Sequence, residues 1–115
     1  MIGQHLLLDQ WGGDLDPTRL EQAMRAAADA AGATILSGHF HPFDGGGVTG
    51  VLLLAESHIT VHTWPEHGLA AFDLFLCGET DVTRAADMLD AALKPDRTAR
   101  RTVPRGQRYQ ASQPA

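Results

Sequence analysis

Apolar residues fall in short runs along this chain, and the spacing inside each run assigns an element. His5 to Trp11 opens with Leu6-Leu7-Leu8 and stops at Gly12-Gly13, the pattern of a strand entering a turn. Asp16 before Pro17 supplies a helix N-cap and a first-turn proline. Leu20, Met24, Ala27, Ala28 and Ala31 then recur at helical spacing until Gly32, which predicts a helix over 17–31. Thr34 to His41 reads as a second strand that runs into a loop of Pro42, Asp44 and Gly45-Gly46-Gly47. Val48 to Ala55, His58 to Trp64 and Leu69 to Leu76 are three more strand-like runs, broken at Glu56-Ser57 and at Pro65 to Gly68. Their short connections predict a meander. Val82, Ala85, Ala86, Leu89 and Leu93 form an apolar stripe that predicts a second helix over about 81–93, ending before Pro95. Residues 95–115 carry a weak strand signal at Arg101 to Val103 and otherwise read as loop or flexible tail. The order strand, helix, four strands, helix fits a mainly antiparallel sheet covered on one face by two helices, an α+β two-layer sandwich.

Length and composition narrow the class. At 115 residues the chain is a single domain, and 43% apolar with 20% charged residues is an ordinary globular balance. No apolar run approaches the ~20 residues of a membrane span, and the N-terminus lacks the basic region of an export signal, so the expected location is the cytoplasm. Cys77 is the only cysteine, which rules out an internal disulfide and a cysteine-based zinc framework. Lys94 is the only lysine, leaving one candidate for imine chemistry anchored on lysine. Charge is unevenly placed: residues 1–93 hold Arg19, Arg25 and Arg84 against 13 carboxylates, whereas residues 94–115 hold six basic residues against Asp96. An acidic body suits a cationic small molecule. The basic tail alone would also fit nucleic acid, but it is better read as lying on its own acidic body or on a partner copy, or as a solvated end.

Chemistry-bearing residues concentrate between 39 and 77. His39 and His41, two apart on one strand face, offer two nitrogens to a metal, with His58 or His62 completing a set, although each of these histidines has an ordinary structural role open to it. Ser57 sits at a strand break, where a nucleophile is readily presented, with Glu56, His62 and Cys77 near in sequence or across neighbouring strands. There is no G-x-S-x-G elbow, and in a regular strand Ser57 and His62 face opposite sides, so the two meet only if the chain turns at 56–58.

Four stretches together are similar to the small prokaryotic S-adenosylmethionine decarboxylase proenzymes: Phe40-His41-Pro42-Phe43; Gly47-Val48-Thr49-Gly50-Val51; Ala55-Glu56-Ser57-His58-Ile59-Thr60-Val61-His62-Thr63-Trp64-Pro65-Glu66; and Phe72-Asp73-Leu74-Phe75-Leu76-Cys77-Gly78. The opening His5-Leu6-Leu7-Leu8-Asp9 resembles theirs too, and the likeness spans roughly residues 3–93. It implies a specific solution to a general problem. Decarboxylating an amino acid needs an electron sink joined to its amino group, usually an imine to a carbonyl cofactor. In that family the carbonyl is made from the chain: the Ser57 hydroxyl attacks the Glu56 carbonyl, the backbone breaks between Glu56 and Ser57, and position 57 becomes a pyruvoyl group that forms a Schiff base with substrate.

The remaining roles follow from the same resemblance. His62 matches the histidine that promotes self-cleavage, a task suited to a group titrating near neutrality. Cys77 matches the donor that protonates the carbon left after carbon dioxide departs; an ordinary thiol, titrating at about 8.5, still holds its proton at neutral pH. Thr49 stands where the family more often has serine and keeps the hydroxyl that assists cleavage. Phe43, Trp64 and Glu66 match substrate-side positions, where aromatic faces stack on adenine or a sulfonium and a carboxylate accepts from ribose hydroxyls. The resemblance thus implies a homodimer of cleaved protomers acting on S-adenosylmethionine, with no resident metal, supplying aminopropyl groups for spermidine. Two alternatives stay open on the sequence: arginine or ornithine as substrate of the same machinery, and a non-enzymatic metal- or nucleic-acid-binding module.

Overall fold

A computed structural model describes residues 3–106. Strand β1 (Gly3–Trp11) leads to helix α1 (Pro17–Ala31), then to β2 (Ile35–Pro42), β3 (Val48–Leu54) and β4 (Ser57–Trp64). A single 3-10 turn (Pro65–His67) precedes β5 (Leu69–Cys77), helix α2 (Val82–Leu93) and β6 (Arg97–Arg105). Both helices start where their caps dictate. The Asp16 carboxylate accepts from the Arg19 amide at 3.1 Å, and that of Asp81 from the Arg84 amide at 3.1 Å. Helix α1 ends at Gly32, whose φ of 83° lets the chain leave the helix through the left-handed region.

The strands form one antiparallel sheet in the order β2-β3-β4-β5-β1-β6. Period-two alternation splits it into two faces. Leu6 and Leu8 of β1, Leu52 and Leu54 of β3, Ile59 and Val61 of β4, and Phe72 and Leu74 of β5 point to one side and are at most 2% exposed. The helices cover that side with Leu20, Met24, Ala27 and Ala28 of α1 and Val82, Ala85, Ala86 and Leu89 of α2. Each fully buried leucine or isoleucine contributes roughly 1.5–3 kcal/mol of transfer free energy. The other face bears no helix. Its side chains, among them His5, Thr49, Val51, Leu53, His58, His62 and Phe75, are half-buried or exposed.

The two-layer α+β sandwich expected from the sequence is the observed fold. The C-terminal segment differs from expectation: instead of a weak strand at 101–103 in a loose tail, residues 97–105 pair with all nine residues of β1. Arg100, on the helix side, binds Asp87 at 2.9 Å and Asp90 at 2.7 Å and so ties β6 to α2. Burial opposes the charge on Arg100, but its bonds to Asp90 and Asp87 outweigh this and hold the guanidinium pKa above its ordinary value. The buried Gln10 of β1 donates to Asp90 at 2.8 Å, adding a second link to the same carboxylate. Residues 107–115 of the expected tail lie outside the described residues.

Candidate active site

The chain reverses between β3 and β4 through a two-residue turn, Ala55-Glu56, because Leu54 pairs with Ser57. Glu56 takes φ 62°, a left-handed conformation that costs a residue bearing Cβ on the order of 1 kcal/mol. The next residue, Ser57, is buried on the helix side, and its hydroxyl donates to the Ala55 carbonyl at a long 3.4 Å. A strained peptide flanked by a hydroxyl therefore stands at one end of the sheet. On the neighbouring strand β5, the register that pairs His58 with Phe75 puts Cys77 beside this turn, on the open face.

A second group gathers at the opposite end of β4. Thr49 pairs with His62 across β3 and β4, and Thr49 Oγ1 and His62 Nδ1 share a hydrogen bond of 2.5 Å. The buried Thr63 hydroxyl accepts from the Val48 amide at 3.0 Å, locking that pairing from the other face. His62 lies edge-on to Trp64 at 4.2 Å between ring centroids and 6.3 Å from Phe43, which itself meets His41 at 4.8 Å. Phe43, Asp44, His62, Trp64, Pro65 and Glu66 border a concavity of about 420 Å³, within the size range of small-molecule sites.

The residues singled out by sequence thus fall into two groups. Glu56, Ser57 and Cys77 share one end; Thr49, His62, Phe43, Trp64 and Glu66 share the other. The turn that sequence reasoning required at 56–58 closes at 55–56, and β4 runs regularly from Ser57 onward. His62 is consequently five residues along the strand from Ser57, ~17 Å at a rise of about 3.3 Å per residue, and on the opposite face. Within one protomer the pair does not meet. His39 and His41 do share the open face, paired with Val51 and Thr49, but His58 sits at the far end of β4. Among the described residues no three His, Cys, Asp or Glu side chains converge as a metal ligand set.

Sequence reasoning gave no role to a cluster beside Cys77. His5 and His58 flank Phe75 at 5.7 and 5.6 Å, Arg105 lies 5.5 Å above the Phe75 ring, and His5 Nε2 is 3.8 Å from Asp73. The period-two pattern of β1 and β5 places His5, Asp73, Phe75 and Cys77 on one face; Arg105 joins them only through β6.

Comparison with known proteins agrees with this fold. The family model for S-adenosylmethionine decarboxylase matches residues 4–106. The S-adenosylmethionine decarboxylase proenzyme of Thermotoga maritima is 48% identical over 101 residues, covering 84% of this chain and 78% of the relative. That of Persephonella marina is 41% identical over 110 residues, 91% and 83% of the two chains. The crystal structure of the adenosylmethionine decarboxylase from Aquifex aeolicus superposes with a TM-score of 0.82 at 37% identity, covering 95% of this chain and 94% of that one. On the match across nearly its whole length, this chain belongs to the S-adenosylmethionine decarboxylase family.

Proposed function

We propose that the chain is a proenzyme that cuts its own backbone between Glu56 and Ser57 and then decarboxylates S-adenosylmethionine, with two copies completing each other's sites. The observation that carries this is the strained Glu56 turn followed at once by a hydroxyl, in a member of this family. Attack of Ser57 Oγ on the Glu56 carbonyl carbon exchanges the amide for an ester and frees the residue 57 nitrogen. Removal of the residue 57 α-proton then expels the Glu56 carboxylate. Hydrolysis of the resulting enamine releases ammonia and leaves a pyruvoyl group at the head of chain 57–115. The residues fit that group: the cut makes residue 57 a chain terminus, no longer held to the helix side, next to the Cys77 thiol. When present, it supplies the electron sink that amino-acid decarboxylation needs. Cys77 gives its proton to the carbon that loses carbon dioxide.

The base that takes the α-proton comes from the other end of β4. Since His62 and Ser57 of one protomer are ~17 Å apart on opposite faces, a second copy laid across the open face with its strands reversed brings its Thr49–His62 pair to the end of the sheet that carries Cys77 and the Glu56-Ser57 turn. Exposed Val51, Leu53, Phe43 and Trp64 supply apolar surface for that contact. The same copy carries the substrate's adenosine half, with Phe43 and Trp64 against adenine or sulfonium and Glu66 accepting from ribose hydroxyls. Intact mass of the purified protein tests the first step. Two fragments, 1–56 and 57–115, and their loss in Ser57→Ala support the proposal; an intact chain that decarboxylates S-adenosylmethionine contradicts it. Arginine and ornithine are the control substrates.

A further inference from the structure

The cluster beside Cys77 has a cation without a counter-charge. Among the described residues no carboxylate lies within 4 Å of Arg105, whereas Arg100, five residues earlier on the same strand, is held by two. Arg105 instead reaches back over β1. Its register partner there is Gly3, and the partner of Gly3 on β5 is Cys77. A side chain at Gly3 would place Cβ 3.0 Å from Phe75 Cε1 and 3.2 Å from Cys77 Sγ. The lack of a side chain at Gly3 thus lets Phe75 and Cys77 close over β1 on the open face, with the Arg105 guanidinium above Phe75. The guanidinium is held there by one hydrogen bond. It has only donors, so its 3.3 Å contact with His5 runs from Arg105 Nη1 to His5 Nδ1. That leaves the His5 proton on Nε2, directed at Asp73 and buried without a hydrogen-bond acceptor.

We infer that Arg105 receives the α-carboxylate of the substrate, oriented by His5, and is a specificity-determining residue for the reaction. This rests on the function proposed above, because the substrate's amino group must then join residue 57, and its carboxylate, two bonds away, has to lie on the Cys77 side. A planar guanidinium, donating through two parallel N–H groups, matches a carboxylate. The cation also has a cost: the carboxylate leaves as neutral carbon dioxide, so charge pairing stabilises the ground state more than the transition state. Losing it therefore raises KM without lowering kcat.

The natural control is the product, which is the substrate without its carboxylate. In Arg105→Gln, cleavage measured by mass and oligomeric state measured by sedimentation stay as in the parent. KM for S-adenosylmethionine rises about tenfold or more, kcat stays within about threefold, and the calorimetric Kd of decarboxylated S-adenosylmethionine shifts by less than about twofold. Arg105→Lys, which keeps charge but loses the fork, falls between parent and Gln. Substrate KM and product Kd rising together, or neither moving, overturns the assignment while leaving the parent reading intact. An unvaried chain that is neither cut nor active overturns both.

Discussion

The two ends of β4 are built to different degrees of completion. At the Trp64 end the polar groups are paired: Thr49 with His62, Thr63 with the Val48 amide, and aromatic rings framing a concavity. At the Ser57 end the backbone is strained at Glu56, the serine hydroxyl is loosely held at 3.4 Å, and His5 Nε2 has no partner. One end resembles a finished binding surface, and the other a reactive bond awaiting its base. In the proposed mechanism a single strand carrying both separates the groups that attack and are attacked from the group that assists them, so a lone protomer would be poorly equipped to cut itself.

Substitutions at either end test this contrast. The largest effect is expected for Cys77→Ala: the chain is still cut, since Cys77 takes no part in the acyl shift, but decarboxylation slows by about 10²–10⁴ in kcat, the usual scale for loss of a positioned proton donor. Cleavage by mass and turnover by carbon dioxide release separate the two steps. Gly50→Ala attacks the finished end. Its Cβ would fall 2.1 Å from the Phe40 ring, which lies flat over Gly50 and packs against the core. Displacing that ring costs about 1–3 kcal/mol, read as a lower denaturant midpoint. The smallest effect is at the strained end. Glu56→Gly, in which φ 62° carries no Cβ penalty, stabilises the uncut chain by about 1 kcal/mol when measured in the Ser57→Ala background. It slows self-cleavage about fivefold if that strain is released on the way to the ester.

Much of the fold was legible because its signals are local. Asp16-Pro17 and Gly32 bracket α1, and the alternation in β3, β4 and β5 marks strands with one buried face. Strand β6 was not, since none of its side chains is buried and only Val103 is half-buried. An edge strand held by backbone pairing and by Arg100 leaves no hydrophobic period to read. The candidate site was legible as a set of residues and not as an arrangement. Nearness in sequence suggests nearness in space, but a regular strand turns the five positions from Ser57 to His62 into ~17 Å and a change of face. Arg105 was invisible for a related reason: its contact with His5 spans 100 positions and depends on β6 reaching β1.

Whether each site is assembled from the Ser57 end of one copy and the His62 end of another is decided by mixing two inactive chains. His62→Ala keeps a cleavable serine, and Ser57→Ala keeps the base. Each is expected to stay uncut alone, whereas co-expression should cut the His62→Ala chain at Glu56-Ser57, detected by intact mass. A His62→Ala chain that cuts itself at the parent rate, or one left uncut in a confirmed mixed dimer, would contradict that assembly.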